Sequence, residues 1–199
     1  MNGQEKMILA IDPSLTNTAV VLGGCPDWTM RTFGSKNRGD DAVSRIVRAS
    51  QLVRDIREWV TEFNPIRAVY IEGYSFGSND SRARYSAEYG GLLRAMLIEC
   101  CSLAVIEVAP TTLKKFCTGK GGGKKEMVIA HLMKRYDVEF ATNDEFDAYG
   151  LYRLGLVAEG LEEAQNQAQR ECSCGVRRCD AATAVQNRLQ HQAQKRRRV

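Results

Sequence analysis

Two apolar runs in this chain end in an acid, and that limits what it can fold into. Met7-Ile8-Leu9-Ala10-Ile11 runs into Asp12, and Ala68-Val69-Tyr70-Ile71 runs into Glu72. Runs that are apolar at every position read as strands covered on both faces. A carboxylate at the end of a buried strand is costly unless something positive neutralises it. A third acidic feature comes late in the chain. Asp144 and Asp147 stand three apart in Asn143-Asp144-Glu145-Phe146-Asp147-Ala148 and share a helix face. Glu145 falls between them, on a different face. Each acid alone has a plain reading: a turn starter, a strand-end charge, or helix N-terminal acids favoured by the macrodipole. Together they sit at the ends of successive core elements, which in a parallel sheet open on one side. Four converging carboxylates repel without cations. Two hard cations about 4 Å apart, held by Asp and Glu, are a common device for cutting phosphodiesters.

The rest of the chain supplies a sheet for those ends. Residues 7–12, 18–22 and 28–33 read as three strands joined by the turns Pro13-Ser14-Leu15-Thr16-Asn17 and Gly23-Gly24-Cys25-Pro26-Asp27, an antiparallel meander. A long helix follows, capped by Asp40 or Asp41. Its stripe is Val43, Ile46, Val47, Val53, Ile56, Val60 and Phe63, and Asn64-Pro65 ends it. Residues 67–72 and 103–108 are further strands, the first parallel to a neighbour because it follows a helix. Helices are expected over 81–101, 111–116, 126–136 and 143–164. Gly90-Gly91 inside the second helix is poor helix chemistry and implies a close approach to another helix or subunit. The expected fold is α/β: a mixed five-stranded sheet, meander plus parallel strands, with helices on both faces.

Composition sets the class. The chain has 199 residues, 44% of them hydrophobic, with no stretch near the ~20 apolar residues of a membrane span. Residues 1–6 lack a signal-peptide pattern, so a cytoplasmic location is expected. Seven cysteines, an odd number, do not make a disulfide framework, and Cys25, Cys100, Cys101 and Cys117 read as reduced and partly buried. The net charge of +4 lies wholly in residues 161–199, which close on Lys195-Arg196-Arg197-Arg198-Val199. Residues 1–160 form the expected core domain. Residues 161–199 read as a basic extension, partly helical or disordered, that either binds phosphates or is a solvated end. Its Cys172, Cys174 and Cys179, with His191, give either a zinc site of unusual spacing or free thiols.

Lys114, Lys115, Lys120, Lys124 and Lys125 crowd twelve positions and suit a DNA backbone. Thr118-Gly119-Lys120-Gly121 follows a helix and lacks Gly-Lys-Ser/Thr, so it is not a P-loop and no nucleotide cofactor is expected.

Ile11-Asp12-Pro13-Ser14, Ile71-Glu72 and Asp144-x-x-Asp147-Ala148, in that order, resemble the RuvC family of Holliday junction resolvases within the RNase H-like nucleases. The likeness spans about residues 7–158. It includes a lysine in a short helix and a second before the next, at Lys114 and Lys125, with Lys115 one residue from the first match. The resemblance implies that Asp12, Glu72, Asp144 and Asp147 hold two Mg2+, with Mn2+ as a substitute. Lys114 and Lys125 would neutralise the scissile phosphate. It also implies an aromatic inserted into the junction from the loop after Glu72, where Phe76 is the better candidate beside Tyr74, with Arg82 and Arg84 near phosphates. The alternative for the aromatics is that they cover the sheet edge.

Two symmetric nicks imply a homodimer, with its interface on the helix carrying Gly90-Gly91, Leu92, Leu93, Met96 and Leu97, unless that helix is ordinary core. Small size and a basic tail suit a phage or viral member. The expected activity is junction resolution. The nearest rival is a less selective nuclease of the same fold, cutting flaps, branched DNA or RNA–DNA hybrids. Actin-like ATPases are discounted for want of a second domain, and a pure DNA-binding module for its intact acids.

Overall fold

The structure, a computed structural model, describes residues 7–14, 16–34, 41–63, 65–74, 81–101, 105–122 and 124–176, without the side chains of 81–84 and 99–101. The chain runs β1 (Met7–Asp12), β2 (Thr18–Gly23), β3 (Trp28–Phe33), α1 (Ala42–Thr61), β4 (Ile66–Glu72), α2 (Ser81–Cys101), β5 (Val105–Val108), α3 (Pro110–Thr118), α4 (Lys125–Tyr136), α5 (Asn143–Ala158) and α6 (Gln167–Val176). The sheet order is β3-β2-β1-β4-β5. The meander β1-β2-β3 is antiparallel, and β1, β4 and β5 run parallel. The expected α/β sheet is the one observed.

Period-2 alternation divides the strands between two cores. Ile8, Ala10, Val21, Ala68 and Tyr70 face α3, α4 and α5. Leu9, Ile11, Val20, Leu22, Val69 and Ile71 face α1 and α2. Helix α5 lies close on the first face because it carries Gly155, where a Cβ would fall 2.7 Å from Ile8 Cγ2 and 2.8 Å from Tyr70 Cδ2. That contact sets the depth at which the N-terminus of α5 meets the strand ends.

Three expectations need correction. Asp41 caps α1 as expected, but Val43, Ile46 and Val47 of its stripe are exposed at 72%, 43% and 55%. The stripe continues past the part of α1 that the core covers. Helix α5 stops at Ala158, not near 164, because Gly160 turns the backbone to φ 71°. Of the two readings open for α2, its Leu93, Met96 and Leu97 follow the ordinary-core one: all three are buried in the second core. Cys25 is exposed rather than partly buried, while Cys117 is buried; both are free thiols, and burial pushes the Cys117 thiol up, which makes it inert. The side chains of Cys100 and Cys101 lie outside the described residues.

Residues 161–176 stay with the core. Helix α6 packs on α3 and α5, Cys172 is buried against the first core, and Lys115 Nζ reaches Glu171 Oε2 at 2.7 Å. Cys174 is exposed, and Cys179 and His191 lie outside the described residues. No helix among the described residues is long and apolar enough to cross a membrane.

Candidate active site

Parallel pairing puts the two acid-ended strands side by side. The β1–β4 ladder ends at Ile11 opposite Ile71, and Asp12 and Glu72 come next on each strand. Asp12 is buried at 7% exposure, and its carboxyl lies beside that of Glu72, so each carboxylate disfavours the other's charge.

Helix α5 brings the other pair. Thr142 caps it, its hydroxyl accepting from Glu145 N, while Glu145 Oε2 accepts from Thr142 N at 2.7 Å. This capping box engages Glu145 and aims the start of the helix, with Asp144 in its first turn and Asp147 just beyond, at the strand ends.

These four acids, Lys114 and Lys125 line one open pocket, together with Pro13, Ser14, Ser86, Pro110, Leu113 and Val128. Lys125, at the first turn of α4, places Nζ 2.8 Å from Asp147 Oδ2 and 4.0 Å from Asp144 Oδ1.

The electrostatics describe a site short of positive charge. Burial pushes Asp12 well above the usual carboxylate range, and Glu72, Asp147 and Asp144 push the same way. Burial also raises Glu72 and Asp147, with Lys125 and Lys114 pulling both back. Burial alone disfavours the Lys125 ammonium, yet its bond to Asp147 and the surrounding carboxylates carry its pKa upward.

The Lys125 ammonium sits among the acids here. Among the described residues, no three His, Cys, Asp or Glu side chains are already arranged to hold an ion. The donor set nonetheless fits hard divalent cations: oxygen ligands only, held at a pocket that draws positive charge.

Other sequence candidates divide. Lys114 faces the pocket, while Lys115 turns away to Glu171. Lys120 and Lys124 are exposed between α3 and α4. Tyr74 is half-buried and already engaged by its own chain: its hydroxyl donates to Ala87 O at 3.3 Å, and the Arg94 guanidinium lies 4.6 Å from its ring centroid. Phe76 and the side chains of Arg82 and Arg84 lie outside the described residues.

Sequence reading missed Ser86 and Arg94. Arg94 donates from Nη2 to Glu72 O at 3.1 Å and from Nε to Glu107 Oε2 at 3.1 Å. The available signal was Gly90, four residues before Arg94.

The protein named crossover junction endodeoxyribonuclease RuvC from Bartonella bacilliformis is 30% identical over 148 residues, covering 72% of this chain and 86% of the relative. The chain belongs to the RuvC family. A RuvC of Chlorobium phaeobacteroides is 27% identical over 167 residues, covering 82% of this chain and 88% of its own. Thermus thermophilus RuvC in complex with a Holliday junction substrate matches with a TM-score of 0.60 at 18% identity, over 74% of this chain and 91% of that one. The structure described as that of Thermus thermophilus RuvC gives 0.59 at 19%, over 77% and 96%. At these identities the solved structures show a shared fold. No protein-family model matches the chain.

Proposed function

We propose that this RuvC-family enzyme is a Mg2+-dependent endonuclease that resolves four-way or branched DNA junctions by paired nicks, with Mn2+ able to substitute. One observation carries the reading: four carboxylates and two lysines line a single open pocket at the ends of the parallel strands. Asp12, Glu72, Asp144 and Asp147 are the residues to hold two cations, which when bound supply an activated water and offset charge on the leaving 3′ oxygen. Lys125 and Lys114, on opposite sides of the loop between α3 and α4, present ammonium groups to the scissile phosphate. Lys120 and Lys124 extend that positive edge along the backbone, while Lys115 joins only by leaving Glu171. With Tyr74 held by Arg94 and Ala87, Phe76 is the aromatic left to stack on DNA bases, flanked by Arg82 and Arg84.

Two nicks call for two copies. The face of α2 opposite the core is exposed and small: Ala87, Gly91 and Ala95 recur at four-residue steps, followed by exposed Ile98. A Cβ at Gly91 would meet nothing within 4 Å. This stripe, rather than Leu93 or Leu97, is our candidate homodimer surface. Residues 161–199 are assigned no separate role, and the cytoplasm, where DNA is exposed, suits the activity.

The test is cleavage of a labelled four-way junction beside linear duplex and RNA–DNA hybrid, with Mg2+ or EDTA. Paired nicks in the junction alone, abolished by EDTA, are expected. Equal cutting of all three substrates would replace junction resolution with the less selective nuclease.

A further inference from the structure

The β1–β4 ladder stops one residue short of the acids. Ile11 pairs with Ile71, but Asp12 pairs with Ala19 of β2, and Glu72 with Val108 of β5. Each acid is held in the sheet from its outer side, and no β1–β4 pairing joins the two directly. Helix α2 touches both strand ends through side chains five residues apart.

At the Asp12 end the contact is a buried hydroxyl pair. Thr18 Oγ1 donates its one proton to Ser14 O at 2.5 Å and accepts from Ser14 N at 3.1 Å. It lies 2.7 Å from Tyr89 Oη, so by proton count Tyr89 is the donor there. Tyr89 and Thr18 are both 0% exposed, and burial pushes the Tyr89 hydroxyl up to about 12, which keeps its proton in place. The turn so gripped, Pro13-Ser14, follows directly on Asp12.

At the Glu72 end the contact is a guanidinium. Arg94 donates from Nη2 to Glu72 O, from Nη1 to Gly90 O and Tyr74 Oη, and from Nε to Glu107 Oε2, all at 3.1 Å. Four of its five N–H groups are spent this way, and a lysine cannot reproduce the fork. The room is made by Gly90, where a Cβ would lie 2.7 Å from both Arg94 Nη1 and Tyr74 Oη. A glycine inside a helix costs about 1 kcal/mol relative to alanine, so the space it frees is the compensation.

We propose that Tyr89 and Arg94 are positioning residues through which α2 fixes the separation of the Asp12 and Glu72 carboxylates, and so the affinity of the site for divalent metal. The inference rests on the proposed function. It assigns to α2 a part in the chemistry, although neither side chain enters the pocket.

The experiment compares Tyr89→Phe and Arg94→Lys with wild type and with Val53→Ala, a core truncation on α1 that destabilises without touching α2's two contacts. Mn2+ affinity is read by electron paramagnetic resonance of the free ion. Single-turnover cleavage of a four-way junction, and junction affinity in EDTA, are measured alongside. Tyr89→Phe and Arg94→Lys should each weaken Mn2+ binding about tenfold, the range seen when a residue supporting a metal ligand is lost. Each should also lower the cleavage rate while leaving junction affinity unchanged, and Val53→Ala should alter neither. Mn2+ affinity equal to wild type in both variants would overturn the inference, as would the same loss in Val53→Ala. A wild-type protein that neither binds Mn2+ nor cuts the junction would overturn the proposed function, and this inference with it.

Discussion

Lys125 donates to Asp147 across 2.8 Å, from the first turn of α4 to the second turn of α5. The pair ties the basic loop to the acidic helix and stores a cation among acids that need one. Replacing the lysine separates two effects. Lys125→Met should lower single-turnover cleavage about 10²–10³-fold, the usual cost of one charge-stabilising donor. Divalent affinity should not fall, because the competing ammonium is gone. Rates measured at saturating Mg2+, with Mn2+ titration beside them, check both halves.

The raised carboxyls set a pH dependence. A group whose folded pKa lies above its unfolded value supports folding while it is protonated; that stability is full below about pH 4, where free carboxyls titrate, and is lost as pH rises through the folded value. Burial places Asp12, Glu72 and Asp147 in this class. In EDTA, Asp12→Asn should therefore melt at a higher temperature than wild type at neutral pH, with the gap closing toward acid. Mg2+ at neutral pH should raise the wild-type Tm more than that of the variant. Thermal melts across pH, with and without Mg2+, check this; a gap widening toward acid would contradict it.

Gly155→Ala tests the seating of α5. The added Cβ would meet Ile8 and Tyr70 well inside contact distance. A loss of about 1–3 kcal/mol is expected, as for other overpacked cores. Urea unfolding in EDTA measures it free of any metal contribution.

Gly91→Gln tests the dimer face. The position is open, so the fold should tolerate the change and the helix should gain about 0.5–1 kcal/mol in propensity. A partner helix packed on Ala87, Gly91 and Ala95 has no such room. Sedimentation equilibrium should show a weakened dimer made of more stable monomers. A dimer of unchanged strength would place the interface elsewhere.

The acid-ended strands were legible because a two-sided apolar run admits few readings, and parallel pairing then puts Asp12 beside Glu72. Asp144 and Asp147 were legible from their spacing. Glu145 could be set aside by its face, though the Thr142 capping box that engages it went unread. What the sequence concealed was three-dimensional. Val43, Ile46 and Val47 keep the apolar period of α1 beyond the part that packs, and periodicity carries no information on where a sheet ends. Gly90 signalled a close approach, but the neighbours proved to be Tyr74 and Arg94 of the same chain rather than another helix. Arg94 acts through the carbonyl of Glu72, and no local pattern marks a side chain whose partner is a backbone atom 22 residues away.

The most direct measurement is single-turnover cleavage of a four-way junction by wild type and Asp12→Asn at saturating Mg2+, with junction affinity measured in EDTA. A shared four-acid site predicts paired nicks by wild type, none by Asp12→Asn, and equal binding by both. Cleavage by Asp12→Asn at the wild-type rate would show that the pocket is not where the phosphodiester is cut.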